Sequence, residues 1–577
     1  MKKLLIYLKG YKKESILAPL FKCLEALFEL FIPLAVKQII DVGMSEDGGD
    51  TKTVFMMCGV MIALGVIGLV CSLCAQFFAA KAAVGFSEKL RSSLFSHIQK
   101  FSYSRTDSIG TSTLITRMTS DVNTVQTGIN MFLRLFMRSP FIVFGAMIMA
   151  FTINVKLALI FAITIPALAI IVFSIMLTSI PILKRSQTRL DGVVGKVRGN
   201  YNGTRVVRAF NKEKSEISEF DEKHNSLTKI QLFAGRISAL MNPLTYAIIN
   251  LAVIILMRFG AINVDSGDIT QGELVALYNY MSQILVELIK LASLIITLNK
   301  ALAGAHRISD ILKTSPDTTR ISVKDNISDG STVCFKNVSF KYSETGDEAI
   351  SNVSFTAFPG ETIGIIGGTG SGKSTLINLI AGFYSPTDGS VLINGKNTAL
   401  YQKNTLTDII GIVPQKAMLF KGTIRSNLLW GNENATENEL WEALELAQAS
   451  DFVKEKDGKL DETVTQNARN FSGGQRQRLT IARALVKKPQ ILILDDSASA
   501  LDYATESKLR KALHSLKYNP TTFIVSQRTS SILHADKIIV LDDGDVVGFG
   551  NHEQLLNTCE TYQEIYYSQF PKGDEKQ

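Results

Sequence analysis

Histidine and cysteine are scarce in this chain, with six of each among 577 residues. His97, His224, His306, His514, His534 and His552 show none of the short spacings that gather imidazoles around one ion, which sets aside a histidine-based metal centre. Cys71 and Cys74 form a CxxC pattern, but they lie in an uncharged run where small side chains pack helices together. A packing role is expected of them rather than redox or metal chemistry. Internal repeats and low-complexity tracts are missing, so repeat arrays are set aside too. The first apolar run is followed by no small-residue cleavage site, and no cleavable signal peptide is expected.

Charge is also missing, but only locally. Residues Val54–Ala80 carry none and, as a helix, would cross about 30 Å of hydrocarbon. Similar runs lie between Arg138 and Lys156, Lys156 and Lys184, and Arg236 and Arg258. Two weaker ones, 16–40 and 274–298, are mostly apolar with a few charges. Six membrane helices are therefore expected, all before residue 300, followed by a soluble α/β half; the length itself predicts two or more domains.

The N-terminus (MKKLLIYLKGYKK) and segments 81–138 and 184–236 are basic, whereas GMSEDGGDTK and NVDSGDITQGE lean acidic. The positive-inside tendency then places the basic segments and both termini in the cytoplasm, in a multi-pass protein of the cell membrane. The net charge of +8 reflects that topology at an anionic lipid surface, and no nucleic-acid partner is expected. Both basic segments keep helical apolar spacing, as in LRSSLFSHIQKF, so membrane helices should run on into the cytoplasm by about 40 Å. They should turn at TDSIG (106–110) and RAFNKEK (208–214), either as solvated hairpins or as levers touching the second domain, with Phe210 as an apolar plug. Pro316 breaks the last helical pattern, and a domain boundary is expected between 315 and 330.

The strongest motif is GGTGSGKS, 367–374, with strand-like ETIGIIG before it and helix-like TLINLIAGF after. This is the phosphate loop GxxxxGKS in its strand–loop–helix setting. The backbone of Gly367, Gly368, Thr369, Gly370, Ser371 and Gly372 would crowd N–H groups around a polyphosphate at a helix N-terminus that opens with Lys373, Ser374 and Thr375. Lys373 would reach the β- and γ-phosphates of ATP, and the Ser374 hydroxyl would sit on Mg²⁺. ILILDD, 491–496, reads as a neighbouring strand whose Asp495 gives the second magnesium support.

With NFSGGQRQRLTIARAL, 470–485, the chain resembles the ATP-binding cassette (ABC) transporters, and its membrane half resembles the exporter type in a half-transporter. The fold this implies is a membrane all-α six-helix domain with long cytoplasmic extensions (1–320), followed by an α/β P-loop NTPase domain of the ABC type (330–577). By the same resemblance Tyr342 stacks on adenine, and Gln415 joins Mg²⁺ to movement of the membrane domain. Ser472, Gly473, Gly474 and Gln475 resemble the signature that caps ATP held by another subunit, and Asp502 the acid of the dimer-contacting loop.

Two positions depart from the family pattern. The glutamate that acts as general base is replaced by Asp496, and the switch histidine by Gln527 in TTFIVSQRTS. One methylene fewer withdraws a carboxylate by roughly 1.5 Å, whereas general-base work needs heavy atoms about 2.6–3.2 Å apart. Glutamine offers no cationic donor. Before the signature, Gln466 stands where a glutamate is common. The expectation is a site that holds ATP and hydrolyses it poorly, in a heterodimer whose partner half-transporter carries the intact glutamate and histidine. The resemblance makes amphipathic drugs or lipids the expected cargo of this translocase. Peptide export is a second reading, although the chain starts at its first span without a peptidase extension. An ATP-gated regulatory or channel-like protein is a third.

Within the spans, Asn279, Gln283, Glu287 and Lys290 share one helical face, and Lys22, Glu25 and Glu29 share another. Polar groups at that depth are costly, and either pair with one another or face a cavity. An interhelical ion-pair network and a wall contacting an amphipathic or cationic solute are both open.

Overall fold

The protein's structure, a computed structural model, describes residues 4–44, 50–315, 330–343, 345–401 and 403–570. Residues 316–329, where the domain boundary is expected, lie outside the described ones. The chain forms two units, one of Met1–Lys100 and Gly110–Ser315, the other of Phe101–Ile109 and Pro316–Gln577.

The first unit is helical: α1 (Lys12–Gln38), α2 (Thr51–Ile98), then, past α3 (Tyr103–Ile109), which belongs to the other unit, α4 (Thr111–Thr116), α5 (Val122–Leu135), α6 (Arg138–Ile153), α7 (Val155–Asn202), α8 (Thr204–Ala209), α9 (Glu213–Ala239), α10 (Met241–Asp265) and α11 (Gln271–Lys313). Among the described residues five helical stretches are long and apolar enough to cross a membrane: Thr51–Ile98, Thr111–Ile153, Val155–Asn202, Glu213–Asp265 and Gln271–Lys313. The expected sixth, α1, has 27 residues but falls short of that apolarity because Lys22, Glu25 and Glu29 interrupt it. It packs against α2 and α11, and its charges find partners inside the bundle.

Helices α2 and α7 have 48 residues each, about 70 Å of helix, far more than the hydrocarbon needs. The chain turns at both expected tips. Gly110 adopts φ +82°, and Asn211 adopts φ +52° between α8 and α9. Phe210 is 71% exposed at the second tip. Alanines and a glycine (Ala146, Ala150, Ala158, Ala252, Ala276 and Gly145) let helices approach where lipid gives no hydrophobic drive between them.

Among its described residues the second unit has twelve strands: β1 (Val333–Phe340), β2 (Ile350–Ala357), β3 (Thr362–Gly367), β4 (Asp388–Ile393), β5 (Lys396–Asn397), β6 (Ile410–Val413), β7 (Gly422–Thr423), β8 (Thr463–Val464), β9 (Ile491–Asp495), β10 (Thr521–Val525), β11 (Lys537–Asp542) and β12 (Asp545–Gly550). The main sheet has the order β12-β11-β3-β10-β9-β6 and is parallel except for β12. Its central strands are buried on both faces, which is why they read as unbroken aliphatic runs such as ILIL. A second sheet, β2-β1-β4-β5, is antiparallel, and β7 pairs with β8. In the register, Val525 at the end of β10 sits beside Ile365 of β3 and Asp495 of β9. That alignment brings three loops to one edge of the sheet.

Candidate functional site

The loop leaving β3 holds φ values of +156° at Gly367, +89° at Gly370 and +95° at Gly372, a left-handed series open to glycine. A Cβ on Gly367 would lie 2.1 Å from the Leu541 carbonyl oxygen, and one on Gly372 2.6 Å from that of Ala349. At Gly368 and Gly370 a Cβ would meet nothing within 4 Å, so the mouth of the loop is open. The helix Lys373–Ile380 starts directly from Gly372, with its N-terminal N–H groups facing that mouth. Lys373 Nζ donates to the carbonyls of Gly367 (2.9 Å) and Gly368 (2.5 Å) and lies 3.3 Å from Ser371 Oγ. Burial pushes the Lys373 ammonium down from its ordinary value, opposed by Asp496 and Asp495. Thr369 and Ser374 are exposed, and Thr375 is buried.

Asp495 ends β9 facing this loop. Burial raises its carboxyl, with the neighbouring Asp496 as a second cause, while the Gln415 backbone N–H and Lys373 act the other way. Gln415, just past β6, also points its amide at Asp496, with Nε2 3.5 Å from Oδ2. Asp496 sits at φ +43°, its N–H bonded to the Val525 carbonyl (3.0 Å) and its own carbonyl accepting the Ser499 hydroxyl (2.8 Å). Gln527 lies two residues beyond β10 and is exposed; its carbonyl accepts from Gln569 Nε2 (2.9 Å), which ties it to the helix Glu560–Gln569.

Tyr342 lies beyond β1, 54% exposed, and its hydroxyl shares a 3.0 Å hydrogen bond with Thr375 Oγ1. The structure thus brings Tyr342, the phosphate loop, Asp495, Asp496 and Gln415 to one place, with Gln527 on the adjoining strand end. Among the described residues no hydrogen bond or ion pair joins Ser472–Gln475 to that loop. The signature has its own geometry: Ser472 Oγ accepts the Gln475 N–H (3.2 Å), and Gln475 Oε1 accepts the Ser472 N–H (3.0 Å). This reciprocal cap opens the helix Gly473–Val486 at an exposed N-terminus, and a Cβ on Gly473 would meet nothing within 4 Å. Asp502 caps the helix Tyr503–His514 by accepting the Thr505 N–H (2.9 Å), and that bond holds its carboxyl below the usual range.

A second set of polar residues lies in the first unit. Arg138 donates to Glu287 (3.0 Å) and Glu29 (2.7 Å) and stands 4.0 Å from Glu25. Glu287 also accepts from Ser139 (2.8 Å) and Lys290 (2.8 Å), and Lys22 bonds Glu25 (2.5 Å) and Ser72 (3.0 Å). The sequence reading missed Arg138 as the hub, since it was only the edge of an uncharged run. Beside it a cavity of about 340 Å³ is lined by Glu29, Ile142, Asn279, Gln283, Glu287 and Lys290 among others. The reading missed Tyr384 as well, which donates its hydroxyl to Asp107 while its ring meets Tyr342.

Comparison with known proteins places these features. The family pattern for the ABC transporter transmembrane region matches residues 15–288, and that for the ABC transporter cassette matches 350–499. An uncharacterised ABC transporter ATP-binding protein of Mycobacterium tuberculosis is 35% identical over 573 residues, 98% of this chain and 97% of the relative. The uncharacterised ABC transporter ATP-binding protein YfiB of Bacillus subtilis is 36% identical over 571 residues, 99% of each. A bacterial Atm1-family ABC exporter, solved with ATP bound, shares the fold with a TM-score of 0.81 and 24% identity, over 97% of this chain and 99% of that one. With a helical membrane domain followed by an ATP-binding cassette on a single polypeptide, the chain belongs to the ABC transporter family as a multi-pass membrane half-transporter.

Proposed function

We propose that this chain is one subunit of a heterodimeric, ATP-driven exporter that moves amphipathic compounds out of the cytoplasm, with both termini on the cytoplasmic side. Its own site binds ATP and hydrolyses it poorly; its signature completes the partner's site. The observation that carries this reading is the pair Asp496 and Gln527 at neighbouring strand ends beside an otherwise complete phosphate loop. Asp496 is a methylene short of the usual base and already accepts from the Gln415 amide, which leaves it poorly placed to polarise water. Gln527 offers the γ-phosphate no positive charge. Two copies of this chain would make two weak sites, whereas a partner with glutamate and histidine would make one strong site from its own loop and this chain's Ser472–Gln475.

The open glycine mouth, the Lys373 ammonium and the helix N-terminus fit a polyphosphate; Tyr342 supplies a face for adenine. Ser374, Gln415 and the half-buried carboxyl of Asp495 fit a hard cation, and Mg²⁺ bound there would neutralise phosphate charge. The mixed lining of the 340 Å³ cavity suits a solute with both apolar and polar parts. ATPase of the purified chain alone should be at least about tenfold below that of the chain with its partner half-transporter. Rapid ATP turnover by the lone chain would remove the division of labour. In sealed vesicles the pair should move cargo uphill; passive flux under bound ATP alone would favour a channel.

A further inference from the structure

Two consecutive residues after the phosphate-loop helix grip the segment Phe101–Ile109. The Phe383 ring stacks on Tyr103 at 4.2 Å with 25° between planes, and the Tyr384 hydroxyl donates to the Asp107 carboxylate. The Tyr384 ring also meets Tyr342 edge-on, 5.4 Å between centroids at 82°, and Phe340 packs against both tyrosines at 5.4 and 4.9 Å. Tyr342 in turn shares its hydroxyl bond with Thr375 on the first turn of the phosphate-loop helix. A single side chain, Tyr384, therefore touches both the ring read as the adenine platform and α3. Lys100 and Gly110 connect α3 through the chain to α2 and α4.

We propose that Tyr384 is a positioning residue that makes α3 respond to nucleotide occupancy at this chain's own site, without hydrolysis there. The inference rests on the reading of Tyr342 as the adenine platform. Adenine stacked on Tyr342 limits the ring's rotation, and an edge-to-face neighbour prefers one orientation relative to it. Fixing the Tyr384 ring fixes the direction of its O–H, and so the position in which Asp107 is held. The hydrogen bond to a carboxylate is charge-assisted and stronger than a neutral one. Occupancy alone then carries information, which gives a hydrolysis-impaired site a task in the cycle.

Tyr384→Phe keeps the ring and removes only the hydroxyl. In the full complex with its partner, hydrogen exchange over residues 101–109 should slow when ATP is added to the unaltered protein. In Tyr384→Phe at least half of that slowing should vanish, while the Kd of this site for a fluorescent ATP analogue stays within about twofold. Asp107→Ala should behave as Tyr384→Phe does, and Asp107→Asn, which keeps an acceptor oxygen, should retain part of the response. An ATP-dependent slowing in Tyr384→Phe equal to that of the unaltered protein overturns the proposal. So does a weakening of the Kd by tenfold or more with the exchange response intact, since Tyr384 would then serve only the pocket. Tyr342→Ala tests the underlying reading separately: a Kd unchanged in that variant removes the adenine platform whatever residues 101–109 do.

Discussion

At the scale of single residues, Asp496 shows how a backbone angle complicates an argument from side-chain length. The sequence exposes the missing methylene, but not the φ of +43°. Aspartate tolerates the left-handed region better than most residues because its short side chain can bond locally. Glutamate there would reach further and sit less comfortably. Asp496→Glu should therefore raise turnover at this chain's own site by about tenfold, about 1.4 kcal/mol in the barrier, at some cost in thermal stability. Turnover measured in a complex whose partner site is disabled, together with a melting curve, checks both halves. An unchanged rate would mean that the Gln415 contact or Gln527, and not carboxylate reach, limits the chemistry.

At the scale of elements, the caps decide whether the signature and its neighbours keep their shape. Ser472→Ala should remove one partner of a reciprocal cap and cost about 1 kcal/mol, while ATPase of the paired complex falls because the exposed N-terminus frays. Restoring the cap with Ser472→Thr should recover most of the stability. The helix Glu437–Leu446 carries a similar cap between Thr436 and Glu439, and Glu439 also bonds Lys488 at 2.7 Å. Lys488, and then the Thr436 N–H, hold the Glu439 carboxyl down at about 2. A depressed carboxyl stabilises the fold above the unfolded value of about 4.3, and that contribution is lost as pH falls from there towards 2. Glu439→Gln should accordingly flatten the decline in Tm between pH 5 and pH 3. Phosphate loop, signature and their strands were legible in the sequence because each is a local pattern. The bond from Tyr384 to Asp107 was not, since it joins residues 277 positions apart.

At the scale of the whole molecule, the membrane charges illustrate the same limit. Helical spacing put Lys22, Glu25 and Glu29 on one face and Glu287 and Lys290 on another, yet only the fold brings Arg138 between them. The cluster holds three acids, Glu25, Glu29 and Glu287, and three bases, Lys22, Arg138 and Lys290, so it is balanced and offers a cationic solute no net attraction. Glu287, 3% exposed and accepting three hydrogen bonds, belongs to the ion-pair network. Replacing Arg138 with methionine should strand the buried Glu287 carboxylate and cost about 3 kcal/mol, whereas Arg138→Met with Glu287→Leu should recover much of that loss. Melting of the complex in detergent would distinguish the two. Glu29→Gln should leave efflux of a cationic dye within about twofold; a larger drop would return Glu29 to the cargo wall. Five of the six expected crossing helices are legible from apolarity alone, whereas the charges of α1, which the transmembrane-region pattern also covers, make sense only once their partners on other helices are in place.

The membership of Phe101–Ile109 in the second unit has a practical corollary for anyone dissecting this polypeptide. Excising the cassette at residue 330 would leave it without nine amino acids that its own surface uses as a lid, and would bare the rings of Phe383 and Tyr384 to water. Such a fragment should be stickier than the intact subunit, and a synthetic nonamer of that segment should quiet it.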